Sequence, residues 1–212
     1  MTVFAAVLSG VPTTLLLTFA AFGIGVVGGV PLALARRSPH PLPRLTARAL
    51  IELLRGIPPI VWLFFVFFGV GNSVPGIQPM SAAILSLGLI SCAYMAEIYR
   101  GGLSAIQGGQ WEAGEALGMN RTSVLSKVIG PQVFRISVPA AATYAIGLLK
   151  DSSVAYTIGV TEVMFYANEQ SRSTSDAIVP FLMAAFVYVV MTIPCAWAAR
   201  TLDSRLRKRV AR

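Results

Sequence analysis

Charged residues, histidine and cysteine are all scarce in this sequence. Only 12% of its 212 residues are charged, against roughly 25% in ordinary soluble domains. The one histidine, His40, lies in a proline-rich polar stretch, and the two cysteines, Cys92 and Cys195, lie far apart inside apolar runs. We therefore expect no metal site and no histidine-based catalysis. The cysteines are interpreted as small buried hydrophobic residues rather than a disulfide or metal pair.

A phosphate-binding loop is absent as well. No part of the sequence fits the pattern G-x-x-x-x-G-K-[ST], in which backbone N–H groups surround the phosphates of a nucleotide. We expect this chain to bind no ATP, magnesium or other cofactor by itself. An intramembrane enzyme is also disfavoured, because it needs a nucleophile with its base, or a set of metal ligands, and the sequence supplies neither.

Long apolar runs are what the sequence has in abundance, and 55% of its residues are hydrophobic. Each long run is close to the roughly 20 residues that cross a bilayer as a helix, and none alternates as a membrane β-strand does. We predict an all-α polytopic membrane protein with a single domain, residues 1–212. Pro58 and Pro59 are expected to kink or open the second of five spans. The predicted spans are 13–35, 49–70, 80–98, 134–149 and 177–199.

The basic residues predict how these spans are oriented. The formal net charge is +8, and 14 of the 17 lysines and arginines fall on alternate connections. Because basic connections stay in the cytoplasm, the N-terminus is expected outside and the basic tail, about 200–212, inside. The charge is thus a topology signal, and nucleic acid is not expected as a partner. No cleaved signal peptide is expected either. The 14 residues are Arg36, Arg37, Arg44, Arg48, Arg100, Arg121, Lys127, Arg135, Arg200, Arg205, Arg207, Lys208, Arg209 and Arg212.

One polar segment, about 100–132, separates the third and fourth spans on the predicted cytoplasmic side. Its apolar residues recur at helical spacing, and Gly118 stands where a left-handed residue ends a first short helix. We expect Asn120 or Thr122 to cap a second helix and Pro131 to end it before the fourth span. The segment is then either a two-helix projection that another protein binds or an amphipathic helix on the lipid surface. The spacing alone does not decide between them.

The same segment resembles the EAA loop in the membrane subunits of ABC importers. That loop has Glu-Ala-Ala, a later Gly and a terminal Ile-x-Leu-Pro. This sequence has Glu112, Ala113 and Gly114, then Gly118, then VIGP at 128–131. It departs from the motif where Gly114 replaces Ala and within 128–131, where Val and Gly replace Ile and Leu. The register of the motif is intact.

The resemblance extends over nearly the whole chain. GVPTTLLLTF, ELLRGIPPIVWLFFVFFG, AYMAEIYRGGLSAIQGGQWEAGEALGM and LLKDSSVAYTIGVTEV resemble the permeases of polar amino acid importers, the histidine, glutamine and arginine permease group. The resemblance implies a type I ABC importer permease fold with five transmembrane helices and a cytoplasmic coupling helix, in the bacterial inner membrane. It further implies a second permease subunit, forming a homodimer or a heterodimer. An ABC ATPase subunit dimer that holds ATP and magnesium, and an extracytoplasmic substrate-binding protein, complete the implied assembly.

The implied function is ATP-driven import of a polar or cationic amino acid by alternating access. The alternative is a small-solute channel or pore without ATP coupling, which explains the spans and their glycines but not a folded loop in EAA register. In the importer, small residues of the loop let the ATPase approach closely, and Glu112 either contacts the ATPase or caps the first helix. The expected coupling residues are Gly109, Gln110, Glu112, Ala113, Gly114, Ala116 and Gly118.

Polar residues in or beside the spans are the candidates for the substrate path. An ionisable residue inside a bilayer costs roughly 2.5–3.5 kcal/mol on insertion scales, so it usually faces a cavity or a partner. The candidates for the path or its gate are Glu52, Arg55, Glu97, Lys150, Asp151, Ser152, Ser153 and Glu162.

Each charged candidate also has a purely structural interpretation. Glu52 is expected to pair with Arg55 and Glu97 with Arg100, both at the spacing i, i+3. Asp151 either contacts the substrate or pairs with its neighbour Lys150 or another helix. Glu162 lines the outer path or meets the binding protein. Acidic groups exceed basic ones by one among Glu97, Asp151, Glu162, Arg55 and Lys150, which favours a neutral polar or cationic amino acid over an acidic one.

Overall fold

The computed structural model describes residues 2–71, 76–176 and 178–210, and all regular structure in those ranges is helical. The α-helices are α1 Val3–Leu8, α2 Val11–Arg36, α3 Pro41–Gly56, α4 Pro59–Phe64, α5 Pro79–Ser104, α6 Gly108–Ala116, α7 Arg121–Ser123, α8 Gly130–Asp151, α9 Val163–Thr174 and α10 Ile178–Val210. Three other helical stretches extend the α-helices: the π-helical stretch Phe65–Val70 continues α4, the π-helical stretch Val124–Ile129 joins α7 to α8, and the 3₁₀ helix Ser152–Ile158 follows α8.

Four helical stretches in the described ranges are long and apolar enough to cross a membrane. The bent pair Pro41–Gly56 and Pro59–Val70 makes a fifth span if its two helices are counted together. The predicted all-α class is confirmed, and four of the five predicted spans fall on the four long stretches, with Ala177 outside the described residues. The four stretches are Val3–Arg36, Pro79–Ser104, Arg121–Ile158 and Ile178–Thr201.

The second predicted span, 49–70, breaks at the two prolines as expected, and the break is too sharp for one kinked helix. The chain bends by 102° between α3 and α4. Ile57 has extended backbone, with φ −102° and ψ 133°, because a residue before proline is disfavoured in the helical region. Helix α3 also begins at Pro41, inside the segment we interpreted as a loop, so Arg44 and Arg48 are helical. Proline suits the first turn of a helix, where its missing N–H has no partner to lose.

Helices α2 and α5 form the centre of the bundle, with close contacts at glycines of α2. A Cβ built on Gly25 would lie 2.5 Å from Cβ of Ser91, and one built on Gly29 would lie 2.7 Å from Cβ of Met95. Only glycine permits so close an approach, which is how small residues favour helix association in membranes. The expected burial of the cysteines is half right, because Cys92 is buried in this contact whereas Cys195 is exposed.

The connection between the fourth and fifth spans contains a helix that the sequence patterns did not predict. After the 3₁₀ helix, Gly159 takes a left-handed backbone with φ +89°, and α9 runs back against α1 and α10. Apolar residues of all three helices pack there, with Val7, Val163 and Val187 among the buried members. This packing closes the end of the bundle opposite to the segment 100–132.

Candidate functional site

The segment 100–132 contains two helices joined at a glycine turn, as predicted. Helix α6 ends at Ala116 with Leu117 as its C-cap, and Gly118 follows with φ +72°. The N–H of Gly118 donates to the carbonyl of Glu115 at 2.9 Å, and the N–H of Met119 donates to the carbonyl of Gly114 at 3.1 Å. These two bonds form a Schellman motif, which needs a left-handed residue and therefore favours glycine. The side chain of Asn120 accepts from the N–H of Ser123 at 2.8 Å and so caps the second helix.

The second helix does not end at Pro131, and that prediction is wrong. Helix α7, the π-helical stretch Val124–Ile129 and α8 follow one another without a break. The N–H of Gly130 donates to the carbonyl of Leu125, five residues back. A π-helical stretch is wider than an α-helical turn, and we infer that it gives Pro131 the room its ring needs.

Helix α6 turns one face inward and the other outward. Gly114 faces inward, since a Cβ built on it would lie 2.6 Å from Cγ2 of Val124. The expectation that Gly114 offers a small outer surface to a partner is therefore wrong, whereas Ala113 and Ala116 are exposed as expected. Glu112 does not cap the helix, because the N-cap residue is Gln107. The outer face is formed by Gly109, Glu112, Ala113 and Ala116, and the other exposed residues of the helix are Gly108, Gln110 and Glu115.

We define residues 108–129 as the projection. A small apolar core holds it together. Its buried members are Leu103, Val124, Ile129 and Val133, with Trp111 packed against them. Leu103 belongs to α5 and Val133 to α8, so the same cluster joins the projection to two spans. Gln110, one of the expected coupling residues, accepts at 3.3 Å from the side-chain amide of Gln132. A folded body of this kind agrees with a projection and not with a lone helix lying on lipid.

A cavity of about 830 Å³ lies between the projection and the connection after α2. Arg37, on the bundle side, and Trp111, Glu115 and Arg121, on the projection side, are among its lining residues. The projection is thus attached through its apolar core while its other side stands free of the bundle.

The predicted ion pair between Glu52 and Arg55 does not form. Glu52 instead accepts from Nε of Arg48 at 2.8 Å, at the spacing i, i+4. The guanidinium of Arg55 lies over the ring of Tyr94, 4.8 Å from its centre, an attractive arrangement of a cation and an aromatic face. Arg55 itself is exposed.

An aromatic column continues from Arg55 into the bundle. The rings of Tyr94 and Tyr144 are stacked, with centres 4.8 Å apart and planes 17° apart. The hydroxyl of Tyr144 lies 2.9 Å from that of Ser91. Nearby in the same core, Trp62 has a buried indole N–H with no partner in the described ranges. Sequence reasoning missed these groups, although a tyrosine in the middle of an apolar run was a usable signal.

The remaining candidates occupy three separate places. Glu97 pairs with Arg100 as predicted, Nη2 to Oε2 being 2.9 Å, and Arg36 adds a second contact, Nε to Oε1 being 3.1 Å.

Lys150 and Asp151 are both exposed at the end of α8, and no ion pair joins them in the described part of the chain. The next two positions differ in exposure: Ser152 is buried and donates to the carbonyl of Leu149 at 2.7 Å, and Ser153 is half-buried.

Glu162 is fully buried at the other end of the bundle. Its carboxylate accepts from the N–H of Phe165 at 2.8 Å, which caps α9, and from the hydroxyl of Tyr188 at 2.6 Å. The hydroxyl of Thr14 accepts from the N–H of Val163 at 3.3 Å. Burial raises the pKa of the Glu162 carboxyl, against these hydrogen bonds, which lower it. Contact with a solute or a binding protein would require these helices to separate.

The chain resembles known transport proteins over most of its length. Residues 25–208 match the family described as the binding-protein-dependent transport system inner membrane component. The chain is 33% identical over 193 residues to the probable amino-acid permease protein YxeN of Bacillus subtilis (strain 168), covering 90% of this chain and 86% of that protein. It is 32% identical over 204 residues to the L-cystine transport system permease protein TcyB of the same organism, covering 96% and 87%.

Solved structures show the same likeness. A chain from the crystal structure of an amino acid ABC transporter with histidines has a TM-score of 0.88 and 32% identity, covering 95% of this chain and 94% of that one. A chain of the inward-facing MetNI methionine ABC transporter has a TM-score of 0.81 at 23% identity, which shows the shared fold alone. The chain belongs to the family of binding-protein-dependent transport system inner membrane components and is a membrane-spanning permease subunit with the type I ABC importer fold.

Proposed function

We propose that this permease imports a polar or cationic amino acid, driven by ATP that separate subunits hydrolyse. The carrying observation is the folded projection outside the spans, in EAA register, on a chain whose relatives are named as amino-acid and L-cystine permeases. In this proposal ATP and magnesium bind to an ABC ATPase dimer, and a binding protein delivers the amino acid from the opposite side. A second permease subunit, identical or homologous, completes the path.

The projection is the proposed coupling element. Its exposed face, formed by Gly109, Glu112, Ala113 and Ala116, carries small side chains around one carboxylate and suits insertion into a groove of the ATPase. Since its apolar core contains Leu103 of α5 and Val133 of α8, displacement of the projection would shift both spans. ATP binding then favours one packing of the spans over the other, which is what a two-state switch requires.

We propose the orientation of the chain from its charge distribution. The projection and the basic tail lie on the cytoplasmic side in this proposal, and Glu162 and α9 lie on the outer side. The support is the placement of 14 of 17 basic residues on the connections assigned to the cytoplasm.

We propose that the path runs beside the aromatic column. The carboxylate of an amino acid needs a cationic partner once water is removed, and its ammonium needs an anionic one. Arg55, exposed and held over Tyr94, is the proposed partner of the carboxylate. Asp151, exposed and without an ion pair in the described ranges, is the proposed partner of the ammonium. Lys150, Ser152 and Ser153 would shape the same end of α8.

An Asp151→Asn variant tests this proposal. It removes the charge with little change in volume, so we expect uptake to fall at least about tenfold, the loss of one charge-assisted contact, while the assembled transporter still hydrolyses ATP. The measurement is uptake of labelled arginine, histidine, glutamine and glutamate into proteoliposomes that hold the permease, its ATPase and its binding protein. Asp176→Asn is the matched control, because Asp176 accepts from the N–H of Ile178 at 2.9 Å outside the spans and asparagine makes the same bond.

Three results would count against the proposal. Uptake by Asp151→Asn equal to that of the control would remove Asp151 from the path. Selective uptake of glutamate would contradict the charge argument. Solute flow without ATP, ATPase or binding protein would favour the alternative, a small-solute channel, in which the folded projection has no role.

A further inference from the structure

Four arginines surround a small cavity where α2, α3 and α5 meet. The cavity has a volume of about 220 Å³. Arg36 comes from the end of α2, Arg44 and Arg48 from the first half of α3, and Arg100 from α5, and Leu45 is the other lining residue. Neither the coupling of the projection nor the aromatic column uses this cavity.

The charges around the cavity do not balance. Glu97 meets Arg36 and Arg100, at 3.1 and 2.9 Å. Glu52 meets Arg48 at 2.8 Å. Arg44 forms no ion pair in the described ranges, so four positive charges face two negative ones.

The arginines around this cavity also have more N–H donors than acceptors to receive them. Each guanidinium has five N–H donors in a planar fork, and only a few of the donors around this cavity are used. Nη1 of Arg36 is buried and forms no hydrogen bond in the described part of the chain; Oε1 of Glu97, which lies 3.1 Å from Nε of Arg36, forms none either. A buried donor without a partner is unfavourable, and like charges held together at the edge of a bilayer repel. An anion with several acceptor oxygens would satisfy both needs, and phosphate has the geometry that arginine forks match.

The face of α3 beside these arginines is apolar and exposed. Leu42, Leu45, Leu50 and Leu53 are 73%, 58%, 43% and 52% exposed. A helix with an exposed apolar face next to a basic one typically lies at the membrane surface, with its apolar side among the acyl chains. Leu45 both belongs to this face and lines the cavity, so the cavity opens where apolar and basic surfaces meet. A phosphate carried by a lipid fits that boundary better than a phosphate free in water.

We propose that Arg36, Arg44, Arg48 and Arg100 bind the phosphate of an anionic phospholipid whose acyl chains lie along the leucine face of α3. The site does not depend on which solute the permease carries. The bound lipid holds α3 at the membrane surface, on the near side of the 102° bend that separates it from α4.

The test compares lipids retained by the purified full chain. The protein is placed in nanodiscs of phosphatidylcholine with phosphatidylglycerol, re-extracted in mild detergent, and its retained lipids are counted by native mass spectrometry. We expect the wild type to retain phosphatidylglycerol selectively. Arg44→Gln should lower that preference about fivefold, the usual contribution of one basic residue at an anionic surface. Arg172→Gln, at the opposite end of the bundle on α9, is the matched control and should leave the preference unchanged.

Further arms separate the possible sources of the phosphate. Inorganic phosphate and glycerol phosphate are added as soluble competitors, and if either displaces the lipid at equal concentration, the ligand is a soluble anion and the lipid proposal is overturned. An unchanged preference in Arg44→Gln also overturns it. Should Arg44→Gln unfold, Arg44→Lys keeps the charge without the fork, and an intermediate preference is the result expected from it.

Discussion

The two ends of the bundle are built in different ways. At one end, Glu162 lies at the centre of a knot that we define as Thr14, Glu162, Phe165 and Tyr188, where α2, α9 and α10 meet through hydrogen bonds. At the other end, the projection is built from one continuous stretch, with a glycine turn and a small apolar core. The knot fixes helices to one another, whereas the projection is attached along one side only. The first arrangement resists movement and the second permits it.

Cutting the knot should have the largest effect on stability. In Glu162→Ala, α9 loses its N-cap, and the partly buried N–H of Phe165 and hydroxyl of Tyr188 lose their acceptor. We expect a loss of about 3 kcal/mol, of which about 1 comes from the cap and about 2 from the Tyr188 hydroxyl left without its acceptor. Thermal unfolding of the purified protein in detergent measures it. Glu169→Ala, on the exposed side of the same helix, is the control and should change stability little. A knot variant as stable as this control would show that the hydrogen bonds around Glu162 do not hold the end together.

Replacing Gly118 should affect transport more than it affects overall stability. Alanine at φ +72° is strained by about 1–2 kcal/mol, so Gly118→Ala should loosen the turn between α6 and α7 while the spans remain folded. We expect uptake to fall several-fold and ATP hydrolysis to respond less to the binding protein. Gly101→Ala is the matched control: it lies in α5 with open space around its Cα, and alanine there favours the helix by about 0.5–1 kcal/mol. Equal uptake by the two variants would contradict a coupling role for the turn.

The turn at Gly118 and the helix cap at Asn120 were predictable because both depend on neighbouring residues only. A left-handed glycine and an asparagine two residues later specify a turn and a helix start without any distant partner. The partner of Glu52 was not decidable in the same way, since Arg48 and Arg55 both lie within one helical turn. The contact of Arg55 with Tyr94 on another helix accompanies the pairing with Arg48. The hydrogen bonds of Glu162 to Tyr188 and of Val163 to Thr14 span 26 and 149 residues. No local sequence pattern predicts such contacts.

The prolines also separate what the sequence predicts from what tertiary packing decides. Pro58 and Pro59 were expected to kink or open a helix, and the chain does bend there, but the two prolines alone do not specify the 102° angle. Pro131 was expected to stop a helix, and the π-helical stretch before it removes the reason to stop. The sequence identifies where a backbone is under constraint, and tertiary packing decides how the constraint is met.

A smaller effect is expected where the projection packs against itself. Gly114→Ala restores the residue usual in the EAA motif, yet its Cβ would meet Cγ2 of Val124 at 2.6 Å. Overpacking of this kind costs about 1–3 kcal/mol, and the double variant Gly114→Ala, Val124→Ala should recover most of it by removing the clashing methyl groups. Uptake and limited proteolysis of the projection are the measurements. If the double variant were no better than the single one, the close contact with Val124 would not be the reason for glycine at this position.

Glu162→Gln is the mildest change to the knot, and it tests the charge of the Glu162 carboxyl rather than its hydrogen bonds. Burial raises the pKa of the Glu162 carboxyl above its ordinary value of about 4.3, so the folded protein retains a proton that the unfolded chain releases. The stability from this proton is fully present below about pH 4 and is lost as pH rises through the raised pKa. Glu162→Gln keeps an acceptor for the N–H of Phe165 and does not titrate. The difference in unfolding free energy between Glu162→Gln and the wild type should therefore grow in favour of the variant with rising pH and then level off. Thermal unfolding from about pH 4 to about pH 8 measures this difference, in which all other titrating groups cancel. A difference that grows instead as the pH falls would mean that the hydrogen bonds outweigh burial and that the knot is built around a charged carboxylate.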